Sequence, residues 1–299
     1  MALYAFDGTG NEDREGTDKD SNVLNFFNAY LDPLKNTDPK AEKGSLYLKG
    51  IGTRVHLDVV AKVAEAFGIG GHPRLKDARQ RAEHNLAAGD KDVDIVGFSR
   101  GAALAVDFAN HVCKKMPGAN LRFVGIWDIV AEFGAPGEHV NLGFDLDCPD
   151  VVCYHAMAID ENRAFFQLTR LEKAGKTFGK LHEVWFRGVH SDVGGGNANL
   201  GLNWIALNWM FESALRHGLP IDPAAVTANL TFKDLPRVVK AHDIAVGPPR
   251  RFFTGDAIHA TVQFTDEDRR RFLKDPQLAI SVIDDAGTLT PFPAAARNA

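Results

Sequence analysis

VDIVGFSRGAALAVDF, residues 93–108, decides the fold. Its β-branched opening suits a buried parallel strand, and the residues from Gly101 to Met116 run on at helical spacing until Pro117-Gly118 closes them. Between the two lies Gly97-Phe98-Ser99-Arg100-Gly101, a G-x-S-x-G in the strand–turn–helix context that defines a nucleophile elbow. The serine of such a turn sits on a sharp, strained bend. Glycines two residues to either side let the helix lie close on the strand, and the helix N-terminus aims free amides and its positive dipole end at the hydroxyl. Ser99 is the candidate nucleophile. A chance match in a glycine-rich chain is the competing reading, and the placement argues against it.

Outward from this stretch, short apolar runs alternate with helical patterns. Strands are expected at 3–6, 45–52, 93–98, 121–127 and 183–189. Helices are expected at 22–31 behind an N-cap at Ser21, at 56–68 and 74–89 with a glycine stop each, at 101–116 and at 202–218. The alternation predicts an α/β fold, α/β-hydrolase-like, with a mostly parallel central sheet flanked by helices. Ligands of such sheets bind at the carboxyl ends of the strands. The residues that matter most are therefore Asp7-Gly8-Thr9, Ser99, Asp128 and His190.

A serine hydroxyl needs a base, and the base needs an orienting group. Asp128 ends a strand 29 residues after Ser99 and is the candidate acid, a turn or cap role being its alternative. His190 follows the 183–189 strand, on what reads as a loop after the last parallel strand, and is the candidate base. The order Ser, acid, His is that of α/β-hydrolases. His242, beside Asp243, is the reserve base and Asp192 the reserve acid. Asp192 is otherwise expected to fix the Gly194-Gly195-Gly196 loop. His190, Asp192 and Asp7 could instead ligate a metal and make a metal-dependent phosphoesterase.

FDGTG, residues 6–10, has backbone amides but no reactive group of its own. Ala5 stands where a haloacid-dehalogenase-type nucleophile would be, and no Gly-Lys-Ser/Thr of a P-loop follows. Acyl transfer needs two oxyanion donors, the amide after the nucleophile and one from a neighbouring loop. Arg100 supplies the first, and Gly8 or Thr9 the second, with Asp7 holding the loop. A plain tight turn is the alternative.

The whole chain sets looser bounds. Its 299 residues form one expected domain, with 131–182 as a cap insertion and 220–299 as a C-terminal packing or lid extension. Within the former, His155, Asp160, Glu161, Arg163, Phe165 and Phe166 either shape an acyl pocket or serve packing and an Arg163 ion pair. A net charge of −5 argues against a nucleic-acid partner, and no run is long and apolar enough to span a bilayer, which leaves only transient membrane contact. No secretory signal is read at the N-terminus. Cys113, Cys148 and Cys153 show no disulfide spacing, so buried thiols in a reducing, cytoplasmic setting are expected.

Taken together, FDGTGN (6–11), KGIGT (49–53), VGFSRGA (96–102), GIWDIV (125–130), HAMAIDENRAFF (155–166) and WFRGVHSDVGGG (185–196) resemble the catalytic domain of the type VI secretion phospholipase effectors. LNWIALNWM (202–210), AHD (241–243) and AIHATV (257–262) match more loosely. The resemblance implies hydrolysis of acyl esters by Ser99, Asp128 and His190 without a cofactor, phospholipids being the substrate of the characterised effectors. It also implies an immunity protein or the secretion apparatus as partner, and export without a cleaved signal. Departures stand at SRGAALAV, where the family often has an aromatic and an Arg, and at WDIVA, where it has WDTVG. They leave a smaller, more soluble ester open as substrate, and a non-catalytic binding module on the same fold as the rival from another class.

Overall fold

Strands β1 (Ala2–Phe6), β2 (Leu46–Leu48), β3 (Asp92–Phe98), β4 (Asn120–Trp127), β5 (Val152–Ala158), β6 (Leu181–Phe186), β7 (Ala257–His259), β8 (Ser281–Ile283) and β9 (Leu289–Pro291) lie side by side in a single sheet. They are seen in a computed structural model of the chain, which describes residues 1–9, 11, 19–50, 61–131, 146–171, 180–240 and 246–293. The spatial order is β2-β1-β3-β4-β5-β6-β7-β8-β9; all neighbours are parallel except β8 and β9. Around it lie α1 (Asn22–Ala29), α2 (Ala61–Ala87), α3 (Arg100–Lys115), α4 (His190–Gly194), α5 (Leu200–Arg216), α6 (Pro223–Leu230) and α7 (Asp266–Phe272).

The strands are apolar on both faces because both faces are covered. Leu3, Ala5, Val96, Phe98, Phe123 and Trp127 pack against α1 and α5, with Phe26 stacked on Phe211. Their neighbours in sequence, Tyr4, Phe6, Ile95, Val124 and Ile126, point the other way and pack against α2 and α3. Period-2 alternation thus produces two cores from one set of strands. A third cluster, around Trp185, Phe252, Ile258 and Phe272, covers the C-terminal edge.

Several expectations change. The helices read at 56–68 and 74–89 are one helix from residue 61 onward, with Pro73 inside it; residues 51–60 lie outside the described residues. Glycine lowers helix propensity without ending a helix, and proline removes a single N–H. Within 131–182, where a cap was expected, Val152–Ala158 is a fully buried strand of the central sheet. The C-terminal stretch continues the same sheet through β7, β8 and β9, so β6 is not the last parallel strand.

The cysteine expectation is also corrected. Cys113 and Cys148 form a disulfide with Cα atoms 6.0 Å apart, and Cys153 is the buried free thiol. Spacing gave no sign of it because the pair meets only when the last turn of α3 packs on the segment leading to β5. The closed loop spans 35 residues, for which chain entropy gives about 3–4 kcal/mol. Reduction with dithiothreitol is therefore expected to lower the thermal midpoint by several degrees. An unchanged melt would show that the link does not constrain the unfolded chain.

Candidate active site

Register places three chain turns in a row. Phe6 pairs with Gly97 and Phe98 with Trp127, so Asp7, Ser99 and Asp128 leave β1, β3 and β4 at the same end of the sheet. Ser99 has φ 57° and Asp128 φ 42°. Neither is glycine, and such backbone costs of order 1–3 kcal/mol each unless the surroundings enforce it. The Ser99 amide bonds Trp127 O at 3.1 Å and the Asp128 amide bonds Ala156 O at 2.8 Å, so each turn is pinned by the neighbouring strand. The elbow also requires its glycine: a Cβ on Gly101 would lie 2.3 Å from Phe6 O and 2.4 Å from Asp7 O. That close approach lets α3 start directly behind β1.

His190 is the first residue of the short α4, not a loop residue as expected. Its Nδ1 donates to Asp128 Oδ2 at 2.6 Å, which leaves Nε2 as the basic nitrogen. Its backbone amide donates to Glu161 Oε2 at 3.1 Å. The ring is held between Phe98, with centroids 4.5 Å apart, and the edge of Phe166 at 4.8 Å. Burial lowers the imidazole pKa below the usual 6.5, opposed by Asp128, so the ring is neutral near pH 7. Among the described residues Ser99 makes no hydrogen bond to His190. In free hydrolases this contact is often long and tightens when substrate binds.

Asp128 has a partner that sequence reasoning missed. Arg250 Nη1 donates to Asp128 Oδ1 at 2.6 Å and Nη2 to Oδ2 at 3.0 Å. The same two nitrogens also donate to Ala158 O and Phe166 O, at 2.6 and 2.9 Å. The Ala158 amide donates to Asp128 Oδ1 at 2.8 Å. Burial alone would raise the Asp128 carboxyl; Arg250 and His190 overturn that and hold it well below the usual carboxylate range. Nothing in PPRRFF (248–253) marks Arg250, which stands 122 residues from its partner.

Glu161 and Arg163, both singled out in the sequence, lie beside the imidazole as well. Arg163 Nε and Nη2 clasp Glu161 at 2.9 and 2.7 Å, and the guanidinium lies 3.6 Å from the Phe166 ring centroid. Gly247 N bonds Asn162 O at 2.7 Å, so residues 161–166 and 246–250 run together beside His190. The packing reading of this stretch is the one seen: the Arg163 ion pair exists, and Phe166 packs on the imidazole. His155 plays no part at the Asp128–His190 pair. It is buried in β5, where Nδ1 meets Glu183 Oε1 at 2.8 Å and Nε2 accepts the Ile129 amide at 3.3 Å.

In the loop after β1, Asp7 accepts from Ser21 Oγ and Tyr47 OH at 2.6 Å each, from the Gly8 amide at 2.7 Å and from Asn11 Nδ2 at 3.3 Å. Ser21 is the N-cap of α1 as well, accepting the Leu24 amide at 3.1 Å, so loop and helix share one hydroxyl. The Gly8 amide is thus engaged, while the Thr9 and Arg100 amides are not bonded among the described residues. A Cβ on Gly8 would lie 3.2 Å from Ser99 Cβ, which sets this loop directly against the elbow. Gly10 lies outside the described residues.

Asp192 Oδ2 accepts the Val189 amide at 2.9 Å, and its Oδ1 accepts Asn197 and Asn199 at 2.8 and 2.7 Å. It caps α4 and ties down the following turn. With Asp7 and Asp192 both occupied by donors, neither offers a free oxygen to a cation. Among the described residues no three His, Cys, Asp or Glu side chains are grouped to hold a metal. His242, the reserve base, and Asp243 beside it lie outside the described residues.

A mostly parallel sheet flanked by helices, with a G-x-S-x-G elbow at the strand ends and an Asp–His pair beside it, defines an α/β-hydrolase-like protein. The chain belongs to the family described as T6SS phospholipase effector Tle1-like catalytic domain, whose model matches residues 3–115 and 107–213. The family is thus one of phospholipase effector catalytic domains. Two solved structures are similar. One is the crystal structure of an uncharacterized protein from Pseudomonas aeruginosa, 21% identical over 75% of this chain and 47% of that one, with a TM-score of 0.51. The other is the Tle1 effector bound to the VgrG spike from the Type 6 secretion system, 22% identical over 67% and 51%, with a TM-score of 0.46. The chain spans about half the length of each. Among curated proteins no similar sequence is found. Among the described residues no helix is long and apolar enough to cross a membrane.

Proposed function

We propose that the protein is a serine hydrolase of carboxylic esters, with acyl groups of phospholipids as its substrate class. The observation that carries this reading is the strained Ser99 turn set one strand from an Asp128 carboxylate bonded to His190. Ser99 Oγ attacks the acyl carbonyl while His190 Nε2 takes its proton. The Thr9 and Arg100 amides receive the oxyanion. His190 returns the proton to the departing alcohol as the C–O bond breaks, and water then releases the acid from Ser99 by the same route in reverse. Asp128 fixes the tautomer of His190 and steadies its positive charge. Family membership supports the phospholipid class, and shorter esters remain substrates of the same chemistry.

A fluorophosphonate probe is expected to label the protein once, at Ser99, and to abolish hydrolysis of a p-nitrophenyl ester series and of a fluorescent phospholipid in proportion. Peptide mass spectrometry reads the site. Labelling elsewhere, or full activity after complete labelling, would sink the serine reading; loss of activity on chelation would favour a metal phosphoesterase. The type VI setting of the family makes a spike protein or an immunity protein the partner to test, with export as the corresponding route.

A further inference from the structure

Arg100 is the first residue of α3 and only 6% exposed, yet among the described residues it has no counter-charge. Nη1 donates to Thr9 Oγ1 at 2.6 Å, and Nε is buried with no acceptor. Among the described residues no carboxylate lies within ion-pair distance of it. The other deeply set guanidiniums are treated differently. Arg250 holds Asp128, Arg170 holds Glu183 and Asp256, Arg187 holds Asp160 and Asp268, and Arg81 donates to three backbone carbonyls. A buried cation with one hydroxyl for company is costly. Its place adds to the cost, since a helix N-terminus repels positive charge. Burial pushes its pKa down to about 10, which still leaves it charged at neutral pH. Thr9, which tethers it, follows Gly8, and Gly8 lies against Ser99.

We infer that Arg100, tethered by Thr9 at the positive end of α3, is a subsite for a phosphate carried by the ester substrate beside the scissile acyl group. The inference rests on the serine-hydrolase reading and sharpens it: the preferred substrate is a glycerophospholipid, not the neutral acylglycerol of the same chain length. The guanidinium and the oxyanion donors divide the work, the first meeting a charge present throughout the reaction and the second a charge that develops in it.

The test compares kcat and KM of wild type, Arg100→Lys and Arg100→Gln on monomeric dihexanoyl phosphatidylcholine and on dihexanoylglycerol. The ratio of the two kcat/KM values is expected to fall at least tenfold in Arg100→Gln, through KM for the phospholipid, and to recover in part in Arg100→Lys. Calorimetry with glycerophosphocholine, which needs no turnover, is expected to show binding to Ser99→Ala and none to the Ser99→Ala/Arg100→Gln double variant, with matched melting curves showing that both are folded. An unchanged ratio overturns the inference, whether both rates fall together, as a loop tether or oxyanion role requires, or neither falls. Undetectable binding at millimolar glycerophosphocholine overturns it as well. Inorganic phosphate binding as tightly would reassign the site to free phosphate. Failure of the serine reading shows separately, as neutral-ester hydrolysis that survives Ser99→Ala.

Discussion

Ser99→Ala is expected to lower kcat for ester hydrolysis by about 10⁴-fold or more while leaving the fold intact, the scale seen when a triad nucleophile is removed. The proposed oxyanion donors at Thr9 and Arg100 are backbone groups and survive the change. A small residual rate is therefore expected, because those amides still favour the tetrahedral state when water attacks. The strain at φ 57° gives the variant a second signature. That conformation is imposed by the Trp127 carbonyl and by α3, not by the side chain, so it persists with alanine. The wild-type pH profile tests the base. Activity should rise with pH as His190 loses its proton, and burial puts that rise below the usual 6.5. An acid limb well above that value, or a rate only a few-fold lower in Ser99→Ala, would remove this serine from the mechanism.

Arg250→Met is expected to cost about 3–5 kcal/mol at pH 7, the range for breaking a buried pair and leaving its partner charged. The carboxylate of Asp128 is fully buried, and Arg250 supplies the charge that keeps it ionised. The wild-type folded pKa lies below the unfolded 3.8, so this stabilisation is complete above about pH 4 and fades as pH falls through the folded value. Urea unfolding at neutral pH and near pH 3 should therefore show a gap between the two proteins that narrows in acid. A loss under about 1 kcal/mol, or one independent of pH, would mean that Asp128 is solvated or neutral in the folded protein. Activity should fall with stability, since Asp128 loses the two Arg250 hydrogen bonds that hold its carboxylate towards His190.

Much of the sheet and elbow was legible because the relevant physics is local. A buried strand, a tight turn flanked by glycines and a helix starting at once leave a pattern within sixteen residues. The neighbourhood of Asp128 and His190 was legible because Asp128 follows β4 directly and His190 lies just beyond β6, at the same end of the sheet. β5 was not, because Cys153 and His155 interrupt its apolar run and the His155–Glu183 bond that makes burial tolerable joins two strands. β7, β8 and β9 have three residues each, too few for any period. Arg250 acts through contacts between distant segments, and a lone Arg in a polar stretch looks the same whether solvated or buried. The Asp128 turn shows the same limit: its left-handed backbone is imposed by the strand beside it, and nothing in GIWDIV announces it.

Arg250 also bears on where the working unit of the fold ends. The recognisable family segment stops at residue 213 and already contains every side chain proposed for catalysis. Yet the charge that keeps Asp128 ionised arrives from 37 residues beyond that boundary, on a segment laced to the 161–166 loop. Sequence similarity and physical self-sufficiency therefore divide the chain at different places. A fragment cut at the family boundary would keep the proposed triad by composition and lose it by electrostatics. For grafting, splitting or fusing the proposed hydrolase, the smallest working unit is set by the guanidinium at 250.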